Sequence, residues 1–192
     1  GFNKALIINV LMPMKNAYLS MPVSATFVLV MGVGYIVGGI RSALIVGGFL
    51  LFIASTEWWD RALITAYMTT FAVIISVIIG AVVGSLCAQN SLATKTILLV
   101  CDTFQTFPSF IYLIPVIMLF GVTDTSVLIA VVIYATIPSI RYTVEGLRNV
   151  PASLQDAGSM SGVNRMQRLL QIELPLAFPH IMLGINQTVV FA

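Results

Sequence analysis

From Ala62 to Ala88 no charged side chain interrupts the sequence, and that one run limits the possible folds more than any other feature. A helix needs about 20 residues to cross a hydrocarbon core roughly 30 Å thick, and this run exceeds that. It cannot be a lone strand, because lipid offers no partner for backbone N–H and C=O groups, and it is too long and continuous for a barrel strand. The rest of the chain agrees: of 192 residues 59% are hydrophobic and 8% charged, whereas soluble domains carry about 25% charged residues. Too few polar side chains remain to cover a soluble core. The sequence therefore predicts an all-α, polytopic transmembrane helix bundle in contact with a lipid bilayer.

Other apolar runs fill in the bundle. Val23 to Gly39, closed by Arg41, and Ala43 to Ser55 are two candidates, so that residues 22–60 read as two accessory spans. Trp58 and Trp59 suit the headgroup layer. Residues 61–192 read as the core of the bundle, with further runs at Thr96 to Phe120, Val127 to Ile140 after a turn at Gly121 to Thr125, and from Pro175 to Ala192. The stretch Ala5 to Met14 is short and broken by Asn9 and Pro13. It is expected to lie along the interface, making residues 1–21 an amphipathic N-terminal segment. The chain starts without Met and stops inside an apolar run, as a fragment would.

Some functions are excluded early. A net charge of +2 with scattered basic residues offers no patch for nucleic acid. Cys87 and Cys101 lack CxxC spacing and read as small buried hydrophobes, not metal ligands. Gly80 and Gly84 have GxxxG spacing, which packing inside one bundle explains more simply than a dedicated dimer face.

Between Arg141 and Glu173 polar residues return, and residues 142–175 read as a loop outside the membrane. Counting spans from this loop places Arg41, Lys95, Arg141, Arg148, Arg165 and Arg168 on its side, against Lys4, Lys15 and Arg61 opposite. That bias puts the loop in the cytoplasm. Pro151 fits the first turn of a short helix and Gly162 the left-handed residue that closes it. Asn164 with Gln167 makes a capping box for a second helix, which Pro175 is expected to end. Ala157 and Gly158 are small residues in mid-helix, where Gly gives up about 1 kcal/mol of helix propensity. Close approach by another surface would explain them, and so would packing on the bundle's own ends.

At these residues the sequence resembles a known family. Asp156-Ala157-Gly158, three residues, Gly162, nine residues, then Ile172-Glu173-Leu174-Pro175 is similar to the cytoplasmic signature of permease subunits in binding-protein-dependent ABC importers. Asp stands for the usual Glu and Gly158 for the second Ala. The segments from Phe107 to Pro115, Met118 to Gly121 and Leu174 to Thr188 resemble the glycine betaine/proline betaine branch. The resemblance implies a bacterial inner-membrane permease that is not itself an enzyme, with Asp156, Ala157, Gly158, Gly162, Ile172, Leu174 and Pro175 forming a helix-turn-helix that couples to a cytoplasmic ATPase subunit. It further implies an extracellular or periplasmic substrate-binding protein, a second permease copy, and a small quaternary ammonium solute such as glycine betaine. ATP and Mg would sit on the ATPase, since no G-x-x-x-x-G-K-[ST] occurs here.

Candidates for the solute path are fewer. Asp102 is a carboxylate among apolar neighbours, about 10 Å in from Lys95 at helical rise, and an intramembrane acid is a functional candidate. Pairing with Lys95, or access to water, would give it a structural role instead. Phe107 and Tyr112 could favour a quaternary ammonium by cation–π attraction, although aromatic side chains in membrane helices more often pack in the core or face lipid. Asn186 and Gln187 could line a path or bond across helices, and His180 reads as structural. The rival class is an ion-coupled secondary transporter or channel, which calls for paired intramembrane charges and broken helices.

Overall fold

The computed structural model describes residues 11–160 and 162–192, with the side chains of residues 157 and 159 outside the described set. Residues 1–10 of the expected interfacial segment also lie outside it. All described elements are helical: α1 (Met12–Leu19), α2 (Val23–Ser55), α3 (Trp59–Ala88), α4 (Ser91–Thr106), a 3-10 turn (Ser109–Ile111), α5 (Leu113–Phe120), α6 (Asp124–Arg148), α7 (Ala152–Met160), α8 (Arg165–Arg168), a π turn (Leu169–Glu173) and α9 (Leu174–Phe191). By length and composition four stretches could cross a membrane, or five if the bent α4–α5 pair is one span. Two compact units divide the chain at Met68/Thr69.

In the first unit α2 folds back on itself. Gly38 is non-helical, and Gly39 takes φ 68°, ψ −164°, a left-handed conformation that suits glycine. A Cβ on Gly34 would lie 3.4 Å from the Ala43 Cα, and one on Gly47 would lie 2.9 Å from the Met31 Cε. In a straight helix residues 34 and 43 would stand about 13 Å apart, so the two arms run antiparallel with small residues at the seam. Each arm is about 22–24 Å long at helical rise, short of a full hydrocarbon core. Along the outside, Val28, Ile36, Val37 and Phe49 are exposed, as lipid-facing side chains are. Phe27 stacks on Trp59 at 5.9 Å, and the Arg61 guanidinium lies 5.2 Å over Trp58.

The second unit is built around α6. Gly80 and Gly84 of α3 face Ser139 and Thr143 of α6, and a Cβ on Gly84 would come within 2.7 Å of Thr143. The GxxxG pair thus serves close packing inside the chain. On another face α9 runs antiparallel to α6, with Gly184 against Tyr142 and Gly146 against His180 and Ala177. Ser76 Oγ donates to the Val132 carbonyl at 3.3 Å. Cys101 is buried and Cys87 half-buried.

Prolines correct two expectations. The run Thr96 to Phe120 is not one helix: it breaks after Thr106 and turns by 98°. Phe107 before Pro108 is extended (φ −85°, ψ 141°), the conformation that a following proline ring enforces. Nor does Pro175 end a helix. Arg165 to Phe191 is continuous, because the π turn at Leu169–Glu173 widens the helix just before Pro175, which sits in the first turn of α9. A wider turn accommodates the missing N–H and the ring at position i−4.

Candidate functional site

The hairpin between α6 and α9 closes on itself through its own sequence. The Pro151 carbonyl accepts the N–H groups of Leu154 and Gln155 and starts α7. Gly162 then reverses the chain at φ 76°. Asn164 Oδ1 accepts the Gln167 N–H at 2.8 Å while Gln167 Oε1 accepts the Asn164 N–H at 2.9 Å, the reciprocal box expected from these two residue types.

Gly158 is buried where the two halves meet. A Cβ there would stand 2.5 Å from the Ile172 Cδ1, so two residues of the sequence pattern, fourteen apart in the chain, form one contact. Self-packing accounts for the small residue at 158. Below it Leu147, Val150, Leu169 and Ala177 form a core, with Leu174 and Ile181 packed against it. This core anchors the hairpin to the ends of α6 and α9. Pro175 is exposed in the first turn of α9, and Asp156 is exposed on the outer face of α7. The Ala157 side chain lies outside the described residues.

Arg168 Nε donates to Glu173 Oε1 at 2.8 Å, and the Glu173 side chain is only 11% exposed. Sequence reasoning missed this pair because residues five apart do not share a face of an α-helix; the π turn brings them together. Large apolar side chains stand on the hairpin's outer surface, Met160 at 90% exposed and Met166, Leu170 and Leu154 also exposed, beside the exposed polar Asp156, Asn164, Arg165 and Gln167. A cleft of about 600 Å³ opens between its base and the end of α3, lined by Gln89, Arg148, Arg165 and Glu173 among others.

A second cluster, partly exposed, joins α4 to α6. Asp102 does not pair with Lys95, which is exposed; it accepts a bond from Arg141 Nη1, and Arg141 Nε donates to Glu145 at 3.0 Å. α6 stays helical from Asp124 to Arg148, so Arg141 and the first residues of the 142–175 stretch continue the helix of the preceding apolar run. Glu145, one turn further along α6, and Asp102 on α4 both pair with the Arg141 guanidinium, as charged side chains in apolar helices do. Gln187 lines a cavity of about 420 Å³ with Gln105, Arg141, Glu145 and Phe191. Asn186 is exposed and does not line it.

Tyr112 joins an aromatic row instead: Phe104 stacks on it at 5.7 Å, Tyr134 follows at 5.8 Å, and Phe191 lies 5.0 Å from Tyr134. The Tyr112 hydroxyl donates to the Phe104 carbonyl and braces the break after α4. Phe107 stands apart, 46% exposed. Among the described residues no His/Cys/Asp/Glu group is placed to hold a metal.

Comparison with known proteins bears on this geometry. The family model described as a binding-protein-dependent transport system inner membrane component matches residues 79–192, the part that holds both clusters. The chain is 68% identical over 191 residues to the trimethylamine N-oxide transport system permease protein TmoV of Pelagibacter ubique, covering 100% of this chain and 27% of that protein. Against TmoV of Ruegeria pomeroyi identity is 44%, covering 95% and 28%. Against the glycine betaine/proline betaine transport system permease protein ProW of Escherichia coli it is 31%, covering 93% and 50%. The chain thus spans about a quarter of the TmoV relatives and half of ProW. All three are named as transport permeases and none as an enzyme.

Proposed function

This chain belongs to the family of inner membrane components of binding-protein-dependent transport systems, and on that premise we propose that it forms the path of an ATP-driven importer for a small methylated amine. The observation that carries the reading is the hairpin. It is capped at Asn164, closed by Gly158 on Ile172, and tipped with exposed Met160 and Met166. A stiff knob with exposed methionines that leads into α9 without a flexible linker suits docking into a groove of a separate ATPase, whose closure would then tilt α6 and α9.

In this reading residues 22–60 are two short accessory arms and 61–192 the permease core. Asp156, Ala157, Gly158, Gly162, Ile172, Leu174 and Pro175 form the coupling element. ATP and Mg reside on the ATPase, a substrate-binding protein delivers the solute from outside, and a second permease copy completes the path. The greater identity to proteins named for trimethylamine N-oxide than to ProW favours an N-oxide over glycine betaine. Both solutes join a trimethylated nitrogen to an anionic oxygen.

The bent α4–α5 pair and the charge at Asp102 are features that an ion-coupled carrier would also show, but a carrier leaves the exposed hairpin without a role. Replacing Gly162 separates the two readings. A β-branched residue at φ 76° is strained by about 1–2 kcal/mol, so Gly162→Val is expected to abolish ATP-driven uptake in vesicles holding the full-length protein and its ATPase while leaving membrane insertion intact. Unaltered uptake would refute the coupling role, and proton-driven uptake without ATP would favour the carrier.

A further inference from the structure

Three ionisable side chains meet where α4 and α6 approach: Arg141 and Glu145 on α6, and Asp102 on α4. Arg141 lies seven residues before the end of α6, about 10 Å in from Arg148 at helical rise. Charged side chains in apolar helices characteristically face a cavity or a path and pair with one another. Here the cavity is present: about 420 Å³, lined by Arg141, Glu145, Gln105 and Gln187, within the range of small-molecule sites.

The two anchors of Arg141 are not equivalent. Glu145 is one turn further along the same helix and follows Arg141 through any rigid movement of α6. Asp102 belongs to α4, and its bond breaks whenever the two helices separate. The guanidinium uses Nε for Glu145 and Nη1 for Asp102 and Gln105; Nη2 makes no hydrogen bond among the described residues. The Arg141 and Asp102 side chains are 35% and 55% exposed, within reach of a mobile solute. A guanidinium held by its own helix can exchange a fixed carboxylate for another anionic oxygen without losing its orientation.

We propose that Arg141 takes the solute's anionic oxygen, an N-oxide or a carboxylate, in exchange for Asp102, and that the released Asp102 carboxylate faces the methylated nitrogen. The cluster's charges sum to −1 while Arg141 stays paired with Glu145, so a net-neutral solute bearing a cationic nitrogen meets both signs. Phe191 lines the same cavity and packs on Tyr134 at 5.0 Å, offering an aromatic face to the methyl groups. This rests on the importer reading above.

The test is uptake of radiolabelled trimethylamine N-oxide and glycine betaine by the full-length protein, reconstituted with its ATPase and binding protein. With Arg141→Lys, which keeps the charge but loses the fork, the ratio of the two uptake rates is expected to shift by about tenfold, the scale on which polar sites discriminate. Gln187→Ala, which leaves the ion pairs intact, is expected to shift the ratio in the same direction by a smaller factor, and it carries the test if the lysine variant does not assemble. Equal loss of both solutes in Arg141→Lys with no shift in Gln187→Ala would mean a structural role and would overturn the inference. So would unchanged ratios in both. Wild-type vesicles that take up neither solute on ATP would instead remove the importer reading itself, and the inference with it.

Discussion

The helices α2 and α6 are both largely apolar, α2 folded into two short arms and α6 a single helix of 25 residues, yet they are built for opposite surroundings. In its most apolar stretch α6 is 50% buried, and α2 only 11%. What distinguishes them is not the number of large apolar side chains. Buried α6 carries Thr125, Ser126, Thr136, Ser139 and Thr143 in its interior, whereas α2 buries only Ala43 and Gly47 and turns Val28, Ile36 and Val37 outward. Lipid tails are as apolar as leucine, so in a bilayer small residues and hydroxyls mark the inside.

Substitution on each helix can break or sharpen that contrast. The largest loss is expected for Gly184→Leu on the α6–α9 seam, where even a Cβ would approach the Tyr142 Cβ to 2.7 Å. Overpacking of this kind costs about 3 kcal/mol or more, visible as a lowered unfolding midpoint of the detergent-purified full-length protein. Gly158→Val should cost less, about 1–2 kcal/mol, because the atom it meets is the free end of Ile172; adding Ile172→Ala should restore part of it. Asn164→Ala removes a cap and should cost about 1 kcal/mol. Ile36→Ala on the exposed face of α2, where the side chain is 84% exposed, should move the midpoint by less than about 0.5 kcal/mol. A loss at Ile36 to match Gly184→Leu would refute the lipid-facing assignment of α2.

Much of this was legible in the residues themselves. Uninterrupted apolar runs reveal the spans, and Gly162, Asn164 and Gln167 announce the hairpin because turn and cap chemistry is local. Proline was harder to read. Pro108 accompanies a 98° break, Pro138 lies within α6, and Pro175 is absorbed by a π turn. One residue type meets three outcomes, decided by the packing around it. The pairing of Asp102 with Arg141 spans 39 positions and leaves no trace in local spacing. Gly158 could be recognised as a site of close approach, but whether the approaching surface was Ile172 or another protein was settled only by the fold.

Central to the account is that the hairpin tip projects into the cytoplasm, where a motor can grip it. Met160, 90% exposed at that tip, can be changed to Cys in a background in which Cys87, Cys101 and every other native thiol of the full-length protein are replaced by Ser. An impermeant maleimide should then label the protein only after the inner membrane is permeabilised; labelling with that membrane sealed would contradict the account.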